Sequence, residues 1–162
     1  MDPTHATTAA AAVVVVVTLV LTGPLVGTVD VGAREDGLGD GTATVDAVSL
    51  AHDPAVTPGR FGTGVVYLRI PDARTRLSAV EGRSRLVYAF SVPALGFERV
   101  GNRQVTPGSP ESVSVGMADR AFPRGQLDRD RYTAVVEVRI QSFAVDRTVY
   151  ADNVTVEVRT DG

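Results

Sequence analysis

Cysteine, lysine and tryptophan are absent from the 162 residues, so all 16 basic side chains are arginine, and histidine occurs only at His5 and His52. Without cysteine there is no thiol nucleophile, no thiolate zinc site, no disulfide and no lipidated cysteine. Two isolated imidazoles, one of them close to the N-terminus, do not make a metal site. An excess of one charge is also missing. From Arg34 onward the 16 arginines face 17 of the 19 acids, all but Asp2 and Asp30. A body this close to neutral has no basic field to draw it to nucleic acid. The length allows one domain and little more.

What the N-terminal segment has in quantity is apolar surface. Residues 3–29 carry no formal charge apart from His5, and Ala9 to Leu21 is an unbroken Ala/Val/Leu/Thr run. Ala9 to Val29 is 21 residues, close to the roughly 20 that a helix needs to cross about 30 Å of hydrocarbon. Thr22-Gly23-Pro24 interrupts the run after a length that suits a signal-peptide core, and Val31-Gly32-Ala33 supplies small residues before a cleavage point. Residues 1–33 are therefore expected to be a signal peptide or a single hydrophobic membrane helix. Both place the body outside the cytoplasm, either at the cell membrane with an extracellular domain or secreted. A buried helix of an aqueous domain fits poorly, because the run has no polar face and five successive valines have modest helix propensity. Residues 34–41, Arg-Glu-Asp-Gly-Leu-Gly-Asp-Gly, read as a flexible acidic glycine-rich linker. They lack the spacing and the closing glutamate of a calcium loop, so no metal and no cofactor is expected.

From Thr42 to the C-terminus the pattern has period two, is rich in β-branched and aromatic residues, and is punctuated by Pro and Gly. Strands are expected at Thr42–Leu50, Gly64–Ile70, Thr75–Val80, Ser84–Val92 and Ser112–Met117, with Gly96–Val105 ambiguous. Thr75–Val80 and Ser84–Val92 read as a hairpin turning at Glu81-Gly82. The strongest signal is the final pair. Tyr132 to Phe143 turns Ala134, Val136, Val138 and Ile140 inward, and Thr148 to Arg159 does the same with Val154, Val156 and Val158. Both outward faces then hold odd-numbered residues, so facing partners sum to an even number, which requires an odd loop or a bulge around Val145. Leu127 followed five residues later by Tyr132 resembles the tyrosine corner of immunoglobulin-like and fibronectin type III sandwiches. The expected fold is all-β: an antiparallel immunoglobulin/fibronectin-III-like sandwich of about seven or eight strands over residues 42–162, preceded by one hydrophobic helix.

Chemistry-bearing constellations are few. A Ser/His/Asp arrangement would rest on His52 alone, with no Gly-x-Ser-x-Gly elbow, and no nucleotide-binding glycine pattern is complete. The chain is accordingly expected not to be an enzyme. Asn153-Val154-Thr155 is an N-glycosylation sequon with Asn153 on the expected outward face. Arg69, Arg74, Arg76, Arg83 and Arg85 form a basic group interrupted only by Asp72 and Glu81. In the expected hairpin Arg76 and Arg85 face each other, a repulsion that an anionic partner, or concentrated salt with a Debye length near 3 Å at about 1 M, would relieve.

Val66-Tyr67-Leu68-Arg69-Ile70-Pro71-Asp72-Ala73, Leu86-Val87-Tyr88, Val92-Pro93-Ala94-Leu95-Gly96-Phe97 and Asn153-Val154-Thr155-Val156-Glu157-Val158-Arg159 together resemble the uncharacterised exported proteins of extremely halophilic archaea. The absence of lysine fits the same group. The resemblance implies a setting and no catalytic residue. Two functions follow as expectations: a non-catalytic extracytoplasmic module for structure, adhesion or accessory interaction, held to the membrane by its N-terminal segment and facing a surface polysaccharide or envelope protein; or a secreted domain binding an anion or polysaccharide through the arginine-rich hairpin. A small hydrolase ranks below both.

Overall fold

The computed structural model describes residues 38–59 and 64–159; the apolar run, the cleavage point near Ala33 and the first part of the linker lie outside the described residues. Among the described residues no helix is long and apolar enough to cross a membrane. They form ten strands: β1 (Thr42–Leu50), β2 (Ala55–Pro58), β3 (Val65–Arg69), β4 (Ala73–Glu81), β5 (Ser84–Val92), β6 (Phe97–Val105), β7 (Ser112–Val115), β8 (Arg120–Pro123), β9 (Arg131–Gln141) and β10 (Asp146–Val158). Short 3-10 turns at Pro93–Leu95 and Arg124–Gln126 are the only helical pieces among them.

The strands assemble into two sheets, β1-β4-β7 and β6-β5-β9-β10-β2-β3-β8. One cluster of buried apolar side chains draws on both, with Ala43, Leu77 and Val113 from the smaller sheet meeting Leu86, Tyr88, Phe90, Val136, Val138 and Ile140 from the larger. The larger sheet curls enough that its outermost strands touch, Phe97 of β6 standing edge-on to Phe122 of β8 with ring centroids 6.0 Å apart. Its centre is the β5/β9 pair, where Leu86 faces Ile140, Tyr88 faces Val138 and Phe90 faces Val136. All six are fully buried. Each contributes roughly 1.5–3 kcal/mol on burial, and a slip of one residue would turn the whole set to solvent, so the register is strongly specified.

The parity required of the final pair is met by a bulge. Four residues, 142–145, join β9 to β10, and Ser142 organises them by accepting the N–H groups of Ala144 and Val145 on its hydroxyl at 3.1 and 3.0 Å. This even loop pairs Thr148 with Arg139, an odd sum; Val149 is then left out of the ladder, and Tyr150 pairs with Val138, restoring the even sum through to Val156 and Tyr132. The bulge therefore lies four residues beyond Val145.

Four expectations need correction. Ten strands replace seven or eight, because β2 and β8 are four-residue strands ending in proline, too short for an alternation to register. One pairing is parallel, β10 with β2. The β4/β5 hairpin does not form: β4 pairs with β1 and β7, β5 with β6 and β9, so the chain crosses between sheets at Glu81–Arg83. The crossing sets the apolar faces of the two strands against each other across the core. It turns on Gly82 at φ +65°, packed so closely on Gly41 that a Cβ on Gly41 would overlap the backbone of Glu81, Gly82 and Arg83. Finally, the end of the linker belongs to the body. Gly41 is buried and its N–H donates to the Arg83 carbonyl at 3.0 Å, while the Gly39 carbonyl accepts the Phe143 N–H at 2.9 Å.

Candidate functional site

The strand directions give the body two ends. Gly39–Gly41, the 81–83 crossing and the 142–145 loop gather at one end; Pro58, Gly64 and Arg124 mark the other, and at 51–54, 70–72 and 116–119 the chain passes between the sheets without reversing direction. Beside these passages, away from Gly39–Gly41, is a cleft of about 530 Å³ lined by His52, Asp53, Thr57, Arg69, Asp119 and Arg159.

Each of these side chains is placed by a strand end. Arg69 closes β3, and Asp119 lies in the connection that leads into β8, the strand hydrogen-bonded to β3. One Asp119 carboxylate oxygen accepts the Ile70 N–H at 3.1 Å, and the other accepts the Arg69 Nη1–H at 2.5 Å. The Arg69 Nε–H donates to the Thr57 hydroxyl at 3.1 Å, and its guanidinium carbon lies 5.4 Å from the centre of the Tyr67 ring, two residues earlier on the same face. A pair this exposed contributes about 0–1 kcal/mol, so its effect is to fix the guanidinium rather than to hold the fold. Arg159 arrives because its backbone N–H donates to the Val56 carbonyl at 2.9 Å as β10 runs out beside β2. His52 sits on an exposed bend with Nδ1 3.0 Å from the Asp53 carbonyl oxygen.

The cleft is mixed in sign: two guanidiniums, two carboxylates and one imidazole. Such a set offers donors beside acceptors and suits a hydroxyl-rich or zwitterionic surface better than a bare anion. Among the described residues no three His, Asp or Glu side chains are grouped as a cation site would need.

The five arginines singled out by sequence are divided. Arg69 lines the cleft. Arg74 and Arg76 lie on the outer face of the smaller sheet, between Ser49 and Ser114 and between Ala47 and Ser112. Arg83 is at the crossing, and Arg85 is on the outer face of the larger sheet between Gln104 and Gln141. Arg76 and Arg85 therefore do not meet, and the repulsion expected of a hairpin is absent. Asn153 is exposed on the outer face of β10, facing Val135, which is 40% exposed. The Tyr132 phenol is buried; its oxygen accepts the N–H groups of Asp128 and Arg129 at 2.9 and 3.2 Å and its hydroxyl donates to the Asp128 carboxylate at 3.0 Å. Leu127 packs against the core beside it.

Of the cleft residues, sequence reasoning singled out His52 and Arg69 and passed over Asp53, Asp119 and Arg159. Asp119 is 50 positions from Arg69, and only the β3/β8 pairing brings them together. No spacing in the chain signals that. No protein-family model, curated protein or solved structure matches this chain.

Proposed function

We propose that this chain is a non-catalytic immunoglobulin-like module of the cell envelope, carried outside the cytoplasm by its apolar N-terminal segment and presenting the His52/Arg69/Asp119/Arg159 cleft to a surface polysaccharide or envelope protein. The observation that carries the reading is the polarity of the body. The chain joins the sandwich at Gly39–Gly41, and the polar cleft opens away from it, where the chain passes from one sheet to the other. A domain tethered at one end displays the surfaces remote from its tether.

The immunoglobulin-like assignment draws support from strand order. In the larger sheet β10-β9-β5-β6 follows the G-F-C-C′ sequence of variable-type domains, and β1-β4-β7 follows A-B-E, with the Tyr132 corner opening the strand equivalent to F. β2, β3 and β8 are additions that extend the larger sheet. The uncharged run of residues 3–29 supports export.

The test is fractionation of cells expressing the full chain, with intact-mass analysis of the product. The reading expects the body in the membrane or external fraction, with a mass that reports retention or removal of residues 1–33 and any glycan at Asn153. Full-length chain recovered only from the cytosol would overturn it.

A second reading rests on a separate observation. Arg74 and Arg76 make no ion pair among the described residues and are flanked by the hydroxyls of Ser49, Ser112 and Ser114. This face would bind an anionic polymer such as a sulfated polysaccharide, and salt-sensitive binding lost in the Arg74→Gln/Arg76→Gln variant would favour it over display of the cleft.

A further inference from the structure

Phe143 stands out among the large apolar side chains. It is 73% exposed, at the tip of the β9–β10 loop, while the strand residues that precede it on the inward face are fully buried. A phenylalanine ring gains much from meeting an apolar surface, and this one is free to do so.

Its position identifies that surface. The Phe143 N–H donates to the Gly39 carbonyl, and two residues on Gly41 is tied to Arg83, so the loop tip and the point where the chain joins the body are locked together. Ten residues separate Gly39 from Val29, the end of the uncharged stretch, and ten residues span at most about 35 Å. If that stretch lies in a bilayer, Phe143 is on the end of the body that the tether keeps beside the headgroups. Tethering raises the local concentration of the lipid surface enough for a single side chain to engage it.

The charges around the tip do not oppose this. Arg83, Arg85 and Arg147 stand against Asp40 and Glu81, an excess of one positive charge, while Asp146 is held in a bidentate pair by Arg139. The rim is close to neutral, which points to an apolar, salt-insensitive contact rather than to capture of anionic headgroups.

We infer that Phe143 is an interfacial anchor, inserting its ring into the lipid surface. The inference rests on the proposed membrane attachment, and the experiment separates the two. The chain has no tryptophan, so Phe143→Trp introduces a single reporter. The full-length variant is reconstituted into phosphatidylcholine vesicles with and without brominated acyl chains, beside Ala94→Trp at the opposite end of the body as a reference. Insertion gives blue-shifted F143W emission that loses most of its intensity to the brominated lipid and is unchanged by high salt, while A94W keeps its emission. If the chain floats with the vesicles but F143W is unquenched, or if both tryptophans are quenched alike, the anchor is refuted and the attachment stands. A chain that does not float removes both.

Discussion

Tyr88 is the side chain with the most to lose from alkali. It is fully buried on β5, its hydroxyl donates to the Pro71 carbonyl at 2.9 Å, and it lies in one row with Val138 and Tyr150 across β5, β9 and β10. Burial pushes its phenol well above the ordinary value near 10, and the charge of Asp72 adds to the effect. Because folding raises this pKa, the native state holds the proton more tightly than the unfolded chain. Its contribution to stability is complete below about pH 10 and is lost as the pH climbs above that. The chain has no lysine or cysteine to titrate in the same range. Tyr88→Phe is expected to lower stability near neutrality by about 1 kcal/mol, the worth of the Pro71 hydrogen bond, and to flatten the alkaline decline. A residual slope remains from Tyr150, which burial and its hydrogen bond to Asp152 shift the same way. Urea midpoints near neutrality and above about pH 10 check both signs, and a variant with the same alkaline decline as the parent would refute the assignment to Tyr88.

Among the elements, β10 is the one whose pairing is unequal. One side is laddered to β9 along nearly its whole length; on the other only Glu157 and Val158 pair with β2. Such a strand edge invites addition of another chain. Here Asp152 blunts it, its carboxylate accepting the Asn153 N–H at 2.8 Å and the Tyr150 hydroxyl at 3.1 Å. Asp152→Val is therefore expected to increase concentration-dependent self-association, read by sedimentation velocity, with little change in the monomer's fold. An unaltered sedimentation profile at high concentration would show that the edge is protected by something else. The same strand illustrates what a single sequence exposes. Alternation in β5 and β9 placed Leu86, Tyr88, Phe90, Val136, Val138 and Ile140 in the core, since a two-residue period needs only local information. Parity alone demanded a break in the final pair, although its place at Val149 depends on how the Ser142 loop closes. Partner choice was not legible. Thr75–Val80 and Ser84–Val92 have compatible parity for a hairpin, and what replaces it is pairing of each with other strands, β4 with β1 and β7 and β5 with β6 and β9. The cleft was hidden for the same reason, assembled from strand ends that only the β2/β3/β8 additions bring together.

For the whole molecule, the question is where the folded body starts, because that fixes how close it is held to whatever the apolar segment occupies. Composition puts the boundary at Thr42, after the last glycine of an acidic stretch. The structure takes Gly39 and Gly41 into the body, since they close hydrogen bonds to two separate loops and Gly41 is buried against the crossing. Two chains beginning at Leu38 and at Thr42 differ by only four residues, so a flexible linker would make them equally stable. Loss of the Gly39–Phe143 and Gly41–Arg83 bonds is instead expected to cost the shorter chain about 2 kcal/mol, near 1 kcal/mol for each bond. It also bares the backbone of Gly82, whose left-handed conformation is held by that packing. Equilibrium urea unfolding of the two chains measures the difference, with equal slopes showing that only stability has changed. Equal midpoints would return residues 38–41 to the linker and free Phe143 from the point of attachment, which would undo the argument for its contact with lipid even in a chain that remains bound to the membrane.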